Sequence, residues 1–167
     1  EYGAFTAIYG TFVTSFLSLL ITIPLGVGTA IFITEDYVPK VFREIIGSFV
    51  ELLAAIPSVV LGLWAIFVME PFLRAFFVFL HNFFGWIPLF STEPTGRNSL
   101  LAILILVVML LPIVTSIARD SLNQVPKKLR NAAYGIGASR WKTIFSVILP
   151  AALSGIMAGV LLALGRA

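Results

Sequence analysis

The stretch RDSLNQVPKKLRNAAYGIGASRWKTIFSVILP, from Arg119 to Pro150, decides how this chain is organised. It begins as a long polar segment between apolar runs and ends by entering the last of them. Six of the eleven Lys and Arg residues of the chain lie in it, against one acid, Asp120. Loops rich in Lys and Arg between membrane spans face the cytoplasm. We therefore predict a cytoplasmic loop at 119–142.

A short helix is predicted inside this loop. Small apolar residues recur at i, i+3, i+4 and i+7, which places them on one helix face: Leu129, Ala132, Ala133 and Ile136. Pro126 suits the first turn of a helix, and Gly137 can adopt the left-handed conformation that ends one. Ser139 is a good N-cap for a second helix that leads into the last apolar run. Periodicity alone fits equally well an amphipathic helix that lies on lipid headgroups.

The composition excludes an ordinary soluble domain. Hydrophobic residues make up 59% of the 167 residues and charged residues 11%, with a mean hydropathy of +1.04, whereas soluble domains carry about a quarter charged residues. The net charge of +3 belongs to loops that orient spans, so it does not indicate nucleic-acid binding. We predict an all-α, polytopic membrane protein, with 1–167 as a single membrane domain that is part of a longer chain.

Four apolar runs are long enough to cross a bilayer, which takes about 20 residues. The predicted spans are 11–33, 49–69, 98–118 and 143–165. Each contains one proline, which indicates kinked helices around a pathway. The aromatic segment at 70–97 is predicted to stay at the external interface, because the basic residues near 34–48 and at 119–142 then share one side of the membrane.

The last span carries a ridge of small residues at every fourth position, which allows another helix to approach closely. Its members are Ala151, Gly155, Gly159 and Ala163. The pattern is typical both of packing within one chain and of a face that meets a second subunit. The sequence alone does not separate these two interpretations.

Enzymatic sites are not predicted in this chain. His81 is the single histidine and there is no cysteine, so neither a catalytic triad nor a metal site built on these side chains is expected. The sequence contains no G-x-x-x-x-G-K-[ST] loop to hold nucleotide phosphates. If transport is driven by ATP, another protein must bind the ATP.

The order of residues in the loop resembles the EAA signature of ABC-importer permeases. That signature runs E-A-A, three residues, G, nine residues, I-x-L-P. It is matched here by 131–133, Gly137 and 147–150. Asn131 stands where the family usually has Glu, and Val147 where it usually has Ile. The resemblance implies that Leu129, Asn131, Ala132, Ala133, Ile136 and Gly137 couple the chain to an ATPase, and that Leu149 and Pro150 complete the motif at the start of the last span.

Four further segments resemble the phosphate-importer branch of the same family: 9–11, 23–26, 50–60 and 164–167. In that branch the terminal Gly-Arg-Ala continues into a G-E-T segment. The resemblance implies that Arg166 lies in the substrate path, where a guanidinium can hold an oxyanion through two parallel hydrogen bonds. Residue spacing alone also allows Arg166 to reach water at the far membrane surface.

The resemblance implies a multi-pass permease of the bacterial plasma membrane, an inner membrane, that imports inorganic phosphate. It implies as partners a pair of ATP-binding subunits, a second similar permease, an external phosphate-binding protein and membrane lipid, with no nucleic acid. The chain itself would hold no cofactor. A permease for sulfate or molybdate, a channel or ion-coupled transporter, and a purely structural membrane subunit are the alternatives.

Overall fold

The computed structural model describes residues 3–84 and 99–167. Every regular element in those two ranges is a helix, which confirms the all-α prediction. The helices are α1 (Gly3–Thr34), α2 (Lys40–Ala55), α3 (Ser58–Trp64), α4 (Glu70–Phe84), α5 (Ser99–Asn123), α6 (Lys127–Gly135), α7 (Arg140–Thr143) and α8 (Leu149–Arg166). One π turn, Ala65–Met69, joins α3 to α4, and another, Ile144–Ile148, joins α7 to α8. Four helical runs are long and apolar enough to cross a membrane: Gly3–Thr34, Ser58–Phe79, Ser99–Asn123 and Arg140–Arg166.

The predicted span at 49–69 is not one helix. Helix α2 ends at Ala55, and Ile56 is extended, with φ −74° and ψ 126°. The cause is Pro57, since a proline ring disfavours the helical conformation of the residue before it. The apolar run therefore begins at Ser58. The described part of the predicted external loop 70–97 is helical to Phe84, and the rest of that prediction lies outside the described residues.

Both π turns precede a proline by the same distance. The turn Ala65–Met69 comes two residues before Pro71, and the turn Ile144–Ile148 comes two residues before Pro150. A proline inside a helix lacks an N–H and its ring clashes with the carbonyl four residues earlier. A wider turn immediately upstream accommodates that ring without ending the helix. The two long runs therefore stay continuous through their prolines.

Helix α5 lies at the centre of the bundle and contacts α1, α2, α3 and α8. It runs parallel to α1, because Ser18 Oγ donates to the carbonyl of Ile103 at 3.2 Å and Gly26 lies against Val114. It runs antiparallel to α8. The core has two clusters of buried side chains: Ala30, Ala118, Leu122, Val125, Ile144, Ile148, Ala152 and Ile156 form one, and Leu19, Leu110, Val114 and Ala163 form the other.

The small residues of α8 pack against α5 of the same chain. A Cβ added to Gly159 would lie 2.9 Å from Cβ of Ile117, and one added to Gly155 would lie 2.8 Å from Cβ of Ser121. Ala163, one turn further along, is fully buried. Three of the four ridge residues thus pack inside this chain, while Ala151 is exposed.

Helix α6 ends in a Schellman motif. The amide of Ala138 donates to the carbonyl of Ala133, and the amide of Gly137 donates to the carbonyl of Tyr134, both at 3.0 Å. Gly137 has φ +83°, a conformation that costs other L-residues about 1–2 kcal/mol. The predicted role of Gly137 in ending the helix is therefore confirmed.

Replacing Gly137 by Val should loosen this turn, because a β-branched residue strongly disfavours positive φ. Hydrogen–deuterium exchange of the full-length protein should show the amides of 137 and 138 exchanging about tenfold faster, as expected for a loss of about 1.4 kcal/mol. Gly137→Asn should lose less, because Asn tolerates the left-handed region. Gly135→Ala is the control, since a Cβ there meets open space. Equal protection in the Val and Asn variants would contradict the assignment.

Candidate functional site

Most of the predicted site residues lie at one end of the bundle, which we call the basic end. It comprises the turn at 35–39 between α1 and α2, the end of α5, and helices α6 and α7. Pro126 is the N-cap of α6, and Ser139 is the N-cap of α7, where its Oγ accepts from the amide of Lys142 at 3.3 Å. Both helix starts agree with the sequence prediction. The contacts described below place 34–48 and 119–142 at the same end, as the distribution of basic residues required.

The predicted apolar face of α6 is divided by the structure. Ala133 is buried, with 5% of its surface exposed, and α6 packs on the second π turn. Leu129 is 44% exposed, Ile136 is 87% exposed, and Ala132 is exposed as well. Ile136 is the C-cap, with φ −88° and ψ 8°, so it has left the helical path that the i+7 spacing assumed. A bulky charge at Ala133 would therefore disturb the packing beneath α6.

The exposed side of α6 and its C-cap, which we call the outer surface, carries both apolar and polar residues. Leu129, Tyr134 and Ile136 are its large apolar side chains, of which Tyr134 also lines a cleft toward the 35–39 turn, and Asn131 is exposed as well. Lys127 and Lys128, in the first turn, are also exposed. An exposed apolar surface rimmed by charge is typical of a site that binds another protein.

A largely buried ion pair holds α6 from the inside. The guanidinium of Arg130 pairs with the carboxylate of Glu35, and the two side chains are only 17% and 12% exposed. Arg130 Nη2 also donates to the carbonyl of Leu122, near the end of α5, at 2.8 Å. One side chain of α6 thus reaches both α5 and the turn that follows α1.

Two further contacts join the same turn to α7. Arg140 Nη1 donates to the backbone carbonyl of Asp36 at 3.3 Å. The ring of Tyr37 stacks on Trp141 with centroids 5.4 Å apart, and Tyr37 also packs against the core cluster that includes Leu122. A cleft of about 490 Å³ lies between the turn and the α6–α7 segment.

Two further ion pairs at the basic end each include one residue of α2. Arg43 lies 2.7 Å from Asp36, whose side chain is 79% exposed, and Arg119 lies 3.5 Å from Glu51. These pairs attach α2 to the turn and to α5. Contacts of this kind between solvent-exposed groups contribute little to stability, typically about 0–1 kcal/mol. They orient side chains at the surface, whereas the interior contacts of α6 attach that helix more strongly to the bundle.

The remaining predicted residues are not all at this end. Leu149 is partly buried against the core cluster near the basic end, and Pro150 beside it is exposed. Arg166 is the last residue of α8 and is exposed at the opposite end. The 27 residues from Arg140 to Arg166 correspond to about 40 Å of helix at 1.5 Å per residue. The structure therefore separates the predicted substrate-path residue from the predicted coupling residues.

Sequence reasoning missed Glu35, Tyr37 and the inward role of Arg130. A usable signal was present: Arg130 stands three residues before Ala133, so both lie on the same helix face. A charge on a buried face requires a partner of opposite sign. The nearest predicted source was the acidic start of the 34–48 loop, on the same side of the membrane.

Within the described ranges, no three His, Asp or Glu side chains are grouped closely enough to hold a metal ion. The polar contacts of the described basic end include the ion pairs and hydrogen bonds given above. Such an arrangement can fix the position of α6 and present its outer surface.

Comparisons of the sequence with known proteins agree on one family. The family described as "Binding-protein-dependent transport system inner membrane component" matches residues 22–167. The chain is 44% identical over its full length to the phosphate transport system permease protein PstC of Mesorhizobium japonicum and 39% identical to that of Pasteurella multocida, covering 52% and 53% of those proteins. It is 38% identical to the probable ABC transporter permease protein YqgH of Bacillus subtilis, covering 49% of it. The chain spans about half the length of the curated relatives it matches.

A solved structure shares the fold. A chain of the MetNI methionine ABC transporter, in inward-facing conformations, superposes on 97% of this chain and 66% of its own length, with a TM-score of 0.68 and 23% identity. The family description and the four apolar helices indicate a multi-pass protein of the bacterial inner membrane. Because the family match covers most of the sequence, the chain belongs to the binding-protein-dependent transport system inner membrane components.

Proposed function

We propose that this chain is part of a permease subunit of an ATP-driven importer of inorganic phosphate. The relatives with 37–44% identity that are described as phosphate transport permeases support the choice of phosphate. The observation that carries the coupling role is the exposure of Leu129 and Ile136 on the outer surface of α6, a helix that is held in place by a largely buried ion pair. The protein contributes the path through the membrane, and ATP is bound and hydrolysed in a separate subunit.

The proposed assembly contains two ATP-binding subunits, a second similar permease and an external phosphate-binding protein. The basic end faces the cytoplasm, in agreement with its excess of Lys and Arg. There Leu129, Asn131, Ala132 and Ile136 contact a groove of an ATP-binding subunit. Ala133 and Gly137 support this contact indirectly, since Ala133 packs inward and Gly137 shapes the turn that ends α6.

Closure of the ATP-binding subunits then moves α6, and α6 moves the helices attached to it. A ligand can drive such a change only if it binds the two states with different affinity. ATP would supply that difference by binding more tightly to the closed pair of subunits. Because α5 and α8 flank the α6–α7 segment and pack on each other through Gly155 and Gly159, they move together and switch the path between its two openings.

The substrate path is assigned to the end of α8. Arg166 is exposed there, and its guanidinium is charged at every accessible pH and can bind a phosphate oxygen pair in a fixed geometry. A charged residue at membrane depth faces a wet cavity or a partner and marks an ion pathway. The rest of the assembly would complete that cavity around Arg166.

Uptake of labelled phosphate tests the proposed function directly. Cells lacking their own phosphate permease would be complemented with the full parent protein and its partners, with sulfate and molybdate as competitors. We expect ATP-dependent uptake that resists both competitors. If sulfate or molybdate inhibited the uptake, that anion and not phosphate would be the cargo. Uptake independent of ATP would indicate a channel or an ion-coupled transporter.

Replacing Ile136 by Asp should remove the apolar contact with the ATP-binding subunit while leaving the bundle folded, because 87% of the Ile136 side chain is exposed. We expect co-purification of the ATP-binding subunit to fall at least tenfold, which corresponds to a loss of about 1.4 kcal/mol. Lys40→Asp is the control, since Lys40 is 81% exposed and lies at the start of α2, outside the proposed docking surface. Retention of the partner by the Ile136 variant would place docking elsewhere.

Replacing Arg166 by Gln should abolish phosphate uptake with assembly unchanged, since Gln carries no charge for the anion. Arg166→Lys should restore only part of the uptake, because a Lys ammonium lacks the planar fork of the guanidinium. Uptake by reconstituted complexes and subunit recovery would be measured together. Normal uptake by the Gln variant would remove Arg166 from the path and assign it to the membrane surface.

A further inference from the structure

We propose that Glu35 is a positioning residue that makes α1 move with the coupling helix α6. The inference rests on the proposed function, in which α6 receives the motion of the ATP-binding subunits. It adds a second route into the membrane: motion would enter α1 directly through the Glu35–Arg130 ion pair, as well as entering α5 and α8. Nothing in the sequence motif itself assigns a role to Glu35.

The burial of this pair distinguishes it from other ion pairs in the described ranges. Its two side chains are 17% and 12% exposed. In the pairs Arg43–Asp36 and Arg119–Glu51, the acid is 79% and 72% exposed. Water weakens an exposed pair, whereas a buried pair is held by a stronger attraction and leaves an uncompensated charge when either partner is lost. Glu35 and Arg130 therefore resist separation when α6 is displaced.

The guanidinium of Arg130 joins three elements. It belongs to α6, it donates to the carbonyl of Leu122 near the end of α5 at 2.8 Å, and it pairs with Glu35 in the residue after α1. A planar guanidinium can serve two acceptors in fixed directions at once. The geometry therefore links α6 to α5 and α1 through a single side chain.

The other polar contacts of the 35–39 turn reach different helices. Arg140 and Trp141, which contact Asp36 and Tyr37, belong to α7. The side chain of Asp36 pairs with Arg43 of α2. In the part of the chain that is described, the salt bridge from this turn to α6 is thus the one made by Glu35. Without it, α6 would still be joined to α5 and to the second π turn, and its motion would reach α1 only indirectly, through the packing of α1 on α5 and the contacts of α7 with the 35–39 turn.

The expected consequence is partial uncoupling. ATP-binding subunits would still dock on the outer surface of α6, because Leu129 and Ile136 are untouched by a change at Glu35. They would close and hydrolyse ATP, yet a smaller share of closures would rearrange the path. A residue with a purely structural role would change the amount of assembled complex and leave the ratio of ATP hydrolysed to phosphate imported as it was.

The test uses the full complex reconstituted in proteoliposomes. Glu35→Gln removes the charge with little change of shape and should raise the ATP consumed per phosphate imported at least threefold. Asp36→Asn is the matched control: it is the next residue of the same turn, its ion pair leads to α2, and its ratio should equal that of the unmodified protein. An unchanged ratio in Glu35→Gln would overturn the inference. If the unmodified complex imports no phosphate, the proposed function itself fails.

A second variant keeps the test decisive should Glu35→Gln fail to assemble. The 167 residues contain no Cys, so Glu35→Cys combined with Arg130→Cys creates a defined pair for a short, reducible thiol cross-linker. The cross-linked complex should recover the low ratio of the unmodified protein, and reduction of the linker should raise it again. A cross-linked complex with a ratio that stays high would show that attachment of α6 to α1 does not control coupling.

Discussion

Close packing against α5 is the constraint on which this bundle depends. Lipid tails are as apolar as the helices, so the hydrophobic effect does not drive helices together inside the membrane. Their association relies on close approach of their backbones and on hydrogen bonds. Gly26 of α1 and Gly155 and Gly159 of α8 provide that approach, because an added Cβ at each would lie under 3 Å from an atom of α5. The hydrogen bond from Ser18 to the carbonyl of Ile103 adds a polar contact across α1 and α5. Three long helices are thereby held together at these positions.

Proline shapes the same helices without ending them, except at one position. In α1 and α5, Pro24 and Pro112 lie inside continuous helix, and π turns precede Pro71 and Pro150. Wide turns replace the regular hydrogen-bond pattern with a looser one. The π turn at Ile144–Ile148 lies between α7 and α8, so the last apolar run has its least regular backbone where it leaves the basic end. Bending there would let α7 follow α6 while α8 stays packed on α5.

The sequence predicted the helical class, the family and most of the basic end, because each depended on local signals. Pro126, Gly137 and Ser139 set helix limits through their own backbone and capping chemistry, and the structure has them in those roles. The predicted span at 49–69 failed because Pro57 was treated as a kink within a helix. A proline can either bend or end a helix: Pro24 and Pro112 lie inside continuous helices, whereas the residue before Pro57 is extended. The prediction of an apolar face on α6 was only partly correct, because the spacing of Ile136 assumed a helix that ends before this residue.

The Glu35–Arg130 pair was not predicted, because it joins residues 95 positions apart and its one sequence signal was the helix face that Arg130 shares with Ala133. The pair lies directly beside a position at which this chain departs from the family motif. Asn131 replaces the acidic residue usual at the start of the signature, so α6 lacks that charge on its outer side, while the adjacent Arg130 is neutralised on the inner side. The large apolar side chains that α6 exposes are Leu129, Tyr134 and Ile136, and the inner pair fixes the position of the helix. Under the proposed function, affinity for a partner and transmission of its motion therefore depend on different faces of one short helix.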